Sequence, residues 1–293
     1  MEIQEKYIPF KSWKTYCRIV GEKTKKAPLV LLHGGPGSSH NYFEVLDQLA
    51  DQSGRQIIMY DQIGCGKSSI PDDTPEVYNA KTWAEELVNL REKLDLDEIH
   101  LLGQSWGGML AIIYMCDYSP EGVKSVILSS TLSSAKLWSK ELHRLIKYLP
   151  TNEQEAIRKA EETGNYNAID YKKANDHFMS EHVIKYTSDL PEPVLRKKNG
   201  GTVAYMTGWG PNEYTPIGNL HDYEYTDKLK NIRVPVLITS GTDDLSTPLV
   251  SKTMYDNLPN AKWELFFNCG HMPYVQENEK YRALLTNWLK END

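Results

Sequence analysis

The feature that most constrains the fold is a serine enclosed by glycines, in the run Gly103-Gln104-Ser105-Trp106-Gly107. A short apolar run at 98–102 precedes it and predicts a buried strand, whereas the apolar segment 109–118 after it has the length of a helix. A turn that joins strand to helix so sharply needs glycines, because a Cβ there collides with neighbouring backbone. An ordinary glycine-rich turn is the alternative. The flanking strand and helix favour a nucleophile elbow, so we predict that Ser105 is a nucleophile.

The rest of the chain alternates between strand-like and helix-like segments. A hairpin is expected over 7–20. Further apolar runs predict strands at 28–32, 55–60, 98–102, 123–128, 234–239 and 263–267. Helices are predicted between and after them, at 41–51, 83–94, 109–118 and 278–290. This rhythm indicates an α/β fold with a doubly wound, mostly parallel central sheet flanked by helices.

One long stretch interrupts this alternation. Residues 133–225, called the cap segment below, contain no strong strand signal. Helices are expected instead at 137–149, 152–163 and 169–184. We therefore predict a helical cap inserted into a core that comprises residues 1–132 and 226–293.

Charge and composition exclude several classes of protein. The 293 residues include 33 basic and 40 acidic ones, and the net charge of −7 argues against a nucleic-acid partner. No run approaches the roughly 18 apolar residues of a membrane span, and the N-terminus lacks the apolar centre of a signal peptide. The four cysteines are far apart, which predicts neither disulfides nor a zinc site. We expect a cytoplasmic protein with no metal or cofactor.

A nucleophilic serine needs a histidine base and an acid that orients this base. In sheets of this kind the three follow in the order Ser, Asp or Glu, His. Asp243 and Asp244 come after the predicted strand 234–239, and His271 comes after the strand 263–267. All would emerge at the carboxyl edge of the sheet, beside Ser105. His271 is therefore the predicted base, and physical reasoning alone leaves the two aspartates unseparated.

The developing oxyanion needs backbone N–H donors. One is predicted to be the N–H of Trp106, the residue after the nucleophile. The other is expected from the glycine loop 33–37, which follows the strand 28–32. We assign it to Gly35, with Gly34 as the alternative.

Five motifs together resemble the proline iminopeptidases. They are H-G-G-P-G at 33–37, D-Q-x-G-x-G-x-S at 61–68, G-Q-S-W-G-G at 103–108, G-T-D-D-x-x-x-P at 241–248 and G-H-M-P at 270–273. These enzymes are cap-bearing serine aminopeptidases of the α/β-hydrolase fold, and the chain is most similar to the archaeal members that act downstream of the tricorn protease. The resemblance implies that Asp244 is the acid. It also implies removal of one N-terminal residue, often proline, from short peptides, and a larger peptide-generating protease as partner.

An aminopeptidase must bind the free α-ammonium of its substrate, which calls for carboxylates. In the family such groups come from the cap. The resemblance implies Glu213, within the motif 209–214, as one of them. A second acidic partner is Asp243 or Glu224, between which the sequence does not decide.

Three aromatic residues of the cap segment, Tyr205, Trp209 and Tyr214, are predicted to form a pocket for a proline ring. The alternative for them is the core of the cap itself. Two other functions compete with the aminopeptidase: a carboxylesterase or amidase that acts on small acyl substrates, and a non-catalytic protein that only binds a small molecule. A complete triad disfavours the latter. Ser rather than Asp at position 105 excludes dehalogenases and epoxide hydrolases.

Overall fold

The structure, a computed structural model, describes residues 2–293 and has an eight-stranded sheet at its centre. The strands are β1 (Ile3–Phe10), β2 (Trp13–Val20), β3 (Leu29–Leu32), β4 (Ile57–Asp61), β5 (Ile99–Gln104), β6 (Val123–Ser129), β7 (Val236–Gly241) and β8 (Ala261–Phe266). Their spatial order is β1-β2-β4-β3-β5-β6-β7-β8. Strand β2 runs antiparallel to both β1 and β4, and all other neighbours are parallel. The predicted mostly parallel sheet is confirmed.

Helices flank the sheet and fill the long connection between β6 and β7. The α-helices are α1 (Leu49–Ser53), α2 (Ala80–Lys93), α3 (Trp106–Ile113), α4 (Ala135–Ile146), α5 (Thr151–Thr163), α6 (Ile169–His182), α7 (Glu192–Leu195), α8 (Thr202–Gly208), α9 (Pro248–Asn257), α10 (Pro273–Gln276) and α11 (Asn278–Glu291). Short 3₁₀ segments cover His40–Leu46, Pro75–Val77 and Thr226–Asn231, and α3 continues into a π-helical turn at Tyr114–Tyr118.

The helices differ from the sequence predictions in at least three places, and side-chain caps are present at two of these. The helix expected at 41–51 is divided into a 3₁₀ segment and α1. Helix α2 begins earlier than expected because the Asn79 side chain accepts a hydrogen bond from the Thr82 N–H at 3.0 Å. The sequence patterns do not predict helix α9. It begins at Pro248, and the hydroxyl of Thr247 caps it.

The core consists of two apolar layers, one on each face of the sheet. The central strands are buried on both faces, as the continuous apolar runs require. Trp83 of α2 and Leu110 of α3 belong to one layer, and Leu49 of α1 and Leu285 of α11 belong to the other. Full burial of a leucine-sized side chain stabilises the fold by about 1.5–3 kcal/mol. The layers leave the carboxyl ends of the strands free to carry functional groups.

Helices α4 to α8 belong to the cap segment, which contributes no strand to the sheet. Ser134 caps helix α4, because its hydroxyl accepts the Leu137 N–H at 3.1 Å. Its buried residues include Trp138 and Leu142, whose spacing gives one apolar helical face. Phe178 of α6 is likewise fully buried. The cap segment thus has apolar packing of its own, while its predicted boundaries stay a prediction.

Candidate active site

Ser105 lies at the sharp turn between β5 and α3. Its backbone has φ 55° and ψ −123°, a conformation that costs energy in a residue other than glycine. A Cβ on Gly107 would lie 1.9 Å from the carbonyl oxygen of Leu32, and one on Gly103 would lie 2.2 Å from that of Gly107. Only glycine fits at either place. The structure therefore has the tight turn expected of a nucleophile elbow.

His271 and Asp244 lie together after β8 and β7. The imidazole Nδ1 of His271 donates to Asp244 Oδ1 at 2.6 Å. The carboxylate also accepts the N–H groups of Ser246 at 2.9 Å and of Gly241 at 3.1 Å, and Asp244 is only 1% exposed. Asp243, by contrast, is exposed. The loop after β7 thus turns Asp244, and not its neighbour, toward the histidine.

Both the sheet and the cap segment fix the position of His271. Its backbone N–H is shared between the carbonyls of His182, at 3.1 Å, and Val183, at 3.0 Å, at the end of α6. The Trp138 ring stands edge-on to the imidazole, with the ring centroids 5.9 Å apart. Because Asp244 occupies Nδ1, the other ring nitrogen, Nε2, remains to accept a proton.

Two backbone N–H groups near the serine are candidates for oxyanion binding. The N–H of Gly34 is already occupied, since it donates to the Tyr42 hydroxyl at 2.6 Å. Within residues 2–293, neither the Gly35 nor the Trp106 N–H has an intramolecular acceptor. An unpaired donor beside a nucleophile is available to a substrate oxygen. The geometry therefore favours Gly35 over Gly34.

Gln62 joins the glycine loop 33–37 to the side chain of Trp106, and sequence reasoning missed it. Its side chain donates to the His33 carbonyl at 3.0 Å and accepts from the Trp106 indole N–H at 2.7 Å. Its backbone N–H donates to His33 Nε2 at 3.0 Å. Burial lowers the pKa of His33 to about 4, so the ring is neutral at pH 7 and can accept this bond. The only sign of Gln62 in the sequence was its place in the D-Q pair that opens the motif at 61–68.

A cavity of about 370 Å³ opens above the serine. Ser105 and His271 line its base, and the cap segment contributes Tyr205 and Glu213 to its wall. The Tyr205 hydroxyl donates to Glu213 Oε1 at 2.9 Å. Burial raises the pKa of Glu213, although the charge of His271 and the hydrogen bond from Tyr205 oppose this effect. Glu213 is the acidic residue of the lining, and no Asp or other Glu of residues 2–293 shares it.

The structure corrects the substrate-binding predictions for four residues. Trp209 and Tyr214 do not line the cavity, because both side chains are buried within the cap segment. The Trp209 indole N–H donates to the Glu213 carbonyl at 3.2 Å, so these aromatic residues support the loop that carries the carboxylate. Asp243 and Glu224 are exposed and lie outside the lining. Neither therefore supplies a second carboxylate to this cavity.

Metal-binding clusters and membrane-spanning helices are both absent from the described chain. Across residues 2–293, no group of three or more His, Cys, Asp or Glu side chains is placed to hold a metal ion. No helix over that range has both the length and the apolar character needed to span a membrane.

Comparison with known proteins extends over the whole chain. A family model described as the alpha/beta hydrolase fold matches residues 27–278. A proline iminopeptidase of Lactobacillus delbrueckii subsp. bulgaricus is 73% identical over 294 residues, covering 100% of both chains. The crystal structure of VinJ has 30% identity and a TM-score of 0.91, with 99% of each chain covered. The crystal structure of a proline iminopeptidase from Mycobacterium smegmatis has 29% identity and a TM-score of 0.88, with 99% of this chain and 98% of the other covered.

Proposed function

The chain belongs to the proline iminopeptidase family of α/β-hydrolases, and we propose that Ser105, His271 and Asp244 release a single N-terminal residue, proline above all, from short peptides. It is a serine aminopeptidase. The relatives do not favour the alternative of a carboxylesterase or amidase.

The proposed reaction has two halves. In the first, the Ser105 hydroxyl attacks the first peptide carbonyl while His271 Nε2 takes its proton. Asp244 stabilises the imidazolium, and the N–H groups of Gly35 and Trp106 receive the negative oxygen. The C–N bond then breaks as His271 gives its proton to the leaving amine. In the second half, water adds to the acyl-serine with His271 as base, and His271 returns this proton to the Ser105 oxygen as the free amino acid leaves.

The observation that carries the aminopeptidase assignment is the position of Glu213. Its carboxylate shares a cavity with Ser105 and His271, and the cavity is otherwise mainly apolar. A free α-ammonium bound there pairs with the carboxylate, whereas an acylated amine brings no charge and leaves Glu213 unpaired. The apolar lining, including Met179 and Leu245, suits a proline ring and other apolar N-terminal side chains.

Three further assignments are part of the proposal. The chain divides into a core of 1–132 and 226–293 and the cap segment. A cytoplasmic location agrees with its four free cysteines. An association with a larger peptide-generating protease rests on the sequence resemblance alone.

The experiment compares hydrolysis of proline-β-naphthylamide, its N-acetyl derivative and p-nitrophenyl acetate by the wild type, Ser105→Ala and Glu213→Gln. We expect cleavage of the free-amine amide only, its loss in Ser105→Ala, and a raised KM in Glu213→Gln. Glu155→Gln is a matched control, because this exposed glutamate of α5 pairs with Arg158 and does not line the cavity.

Two results contradict the proposal. Preference for the N-acetyl amide or the ester would overturn the aminopeptidase assignment. Full activity in Ser105→Ala would overturn the mechanism.

A further inference from the structure

A lysine of the cap segment lines the active-site cavity and has no anionic partner. Lys198 is part of the lining, yet no carboxylate of residues 2–293 lies within 4.0 Å of its ammonium group. The ammonium lies 5.1 Å from the centroid of the Tyr42 ring, which is a cation–π contact. The cavity therefore presents one carboxylate, that of Glu213, and one ammonium, that of Lys198.

The backbone beside Lys198 is attached to two loops of the core. The Asn199 carbonyl accepts the Gly66 N–H at 2.8 Å, and the Gly201 N–H donates to the Gly37 carbonyl at 2.7 Å. These bonds fix the segment that follows Lys198 against the glycine loop beside the oxyanion donors. The lysine is thus held at the cavity wall by its backbone, unlike a lysine on a free surface loop.

Lys198 is also linked to the catalytic serine through Tyr42. The Tyr42 hydroxyl accepts the Gly34 N–H and donates to the side chain of Gln104, the residue before Ser105, at 3.0 Å. Burial lowers the pKa of Lys198, and the negative charge of Asp61 acts in the opposite direction. Lys198 is nevertheless exposed as a whole residue, so its ammonium group is accessible to an anion that enters the cavity from solvent.

The two charged termini of a short peptide are opposite in sign to the two charged side chains of this cavity. Its N-terminal ammonium can pair with Glu213. In a dipeptide the C-terminal carboxylate lies two residues further along, about 7 Å in an extended chain, and a cation at that distance can pair with it. We propose that Lys198 binds the C-terminal carboxylate of the leaving part of the peptide, so that the enzyme favours dipeptides with a free C-terminus over those whose C-terminus is blocked. This inference rests on the proposed aminopeptidase function.

The selectivity expected follows from one charge-assisted contact. A hydrogen bond to a charged group contributes about 1.5–3 kcal/mol, which corresponds to a tenfold or larger change in affinity. Prolyl-glycine should therefore be cleaved with a kcat/KM about tenfold above that of prolyl-glycinamide, whose carboxylate is replaced by a neutral amide.

The experiment measures kcat and KM for prolyl-glycine and prolyl-glycinamide with the wild type, Lys198→Met, Lys198→Arg and Lys197→Met. In Lys198→Met we expect the ratio of the two kcat/KM values to fall to about one, mainly through a higher KM for prolyl-glycine. Lys198→Arg should retain the preference. Lys197 is exposed like Lys198 but lies outside the lining, so it is the matched control, and its substitution should leave the wild-type ratio.

The outcomes separate this inference from the proposed function. Equal kcat/KM values for the two substrates in the wild type would overturn the role of Lys198 and leave the aminopeptidase function standing. The role of Lys198 would also be overturned if Lys198→Met kept the wild-type ratio of the two kcat/KM values, or if it lowered kcat/KM equally for both substrates. If the wild type cleaves neither substrate, nor proline-β-naphthylamide, the proposed function itself fails.

Discussion

The sheet and the cap segment supply different kinds of group to one cavity. Ser105, Asp244 and His271 each follow a strand, and backbone hydrogen bonds or close backbone packing hold them in place. Glu213 and Lys198 lie in the cap segment, on connections outside the helices. Bond-making groups thus stand at the ends of rigid strands, whereas the groups that recognise substrate charges stand on an insertion.

This difference gives the two regions separate kinetic signatures. Groups that act on the transition state change kcat, whereas groups that bind a charge already present in the ground state change KM. Variants at strand ends should therefore lower kcat. Variants in the cap segment should raise KM and alter selectivity.

The largest effect is expected at the aspartate after β7. Asp244→Asn should lower kcat about 10⁴-fold, because an amide no longer holds His271 in the right tautomer. The adjacent, exposed Asp243→Asn is the matched control and should change kcat by less than about threefold. Steady-state hydrolysis of proline-β-naphthylamide gives the kcat of each variant. A larger loss in Asp243→Asn would reverse the assignment of the acid.

The second largest effect is expected from replacing a glycine by alanine, which should cost more stability at the turn beside Ser105 than in the cap segment. Gly107→Ala places a Cβ 1.9 Å from the Leu32 carbonyl, so we expect it to lower the free energy of unfolding by about 3 kcal/mol or more, or to prevent folding. Gly164 follows α5 with φ 68°, and apart from its two chain neighbours no other residue of 2–293 would lie within 4 Å of a Cβ at this position. Gly164→Ala should cost only about 1 kcal/mol, from backbone conformation alone. Urea unfolding followed by tryptophan fluorescence measures the free energy of unfolding of each variant. Equal losses in the two variants would contradict the expected difference between the two regions.

The same two regions differ in what the sequence could predict. Strand ends are recognisable because apolar runs stop at a glycine or a polar residue, and so the sequence places Ser105 and His271 at one edge of the sheet. The choice between Asp243 and Asp244 depends on the turn of a loop, which has no periodicity. It needed the family resemblance, and the structure then placed Asp244 against His271.

In the cap segment, residue type was a poorer guide to position. Aromatic residues suit a substrate pocket and an apolar core equally well, and Trp209 and Tyr214 lie in the core. Gln62 belongs to the motif at 61–68, but the motif does not indicate its contacts, and Lys198 carried no sequence signal. The contacts of both residues join parts of the chain that are distant in sequence. Long-range contacts of single polar residues leave no repeating pattern.

Glu213 provides the test of charge recognition by the cap segment. Glu213→Gln should raise KM for proline-β-naphthylamide by about 10- to 100-fold with a smaller change in kcat. Burial raises the pKa of Glu213, so in the wild type KM should rise as the pH falls through that pKa and the carboxylate gains a proton. In the variant this pH dependence of KM should be absent. KM measured from pH 5 to pH 8 tests both points, and a variant that keeps the wild-type KM profile would remove Glu213 from substrate binding.

The smallest effect is expected from an ion pair within the cap segment. His143 Nε2 lies 2.9 Å from Glu161 Oε1, and this hydrogen bond raises the pKa of His143 while burial opposes it. The folded state therefore binds the proton more tightly than the unfolded chain, so the pair stabilises the fold below the unfolded pKa of about 6.5. That contribution is lost as the pH rises through the folded pKa.

Because the His143 side chain is 41% exposed, solvent limits its contribution to about 0.5 kcal/mol. His143→Gln should lower the free energy of unfolding by that amount at pH 5.5 and by less at pH 8.5. His221→Gln is the matched control, because among residues 2–293 the hydrogen-bond partner of the His221 ring is the Gly218 carbonyl alone. Urea unfolding at both pH values measures the difference. A loss that is equal at the two pH values would mean that His143 stabilises the cap segment by packing against Tyr214 rather than by its charge.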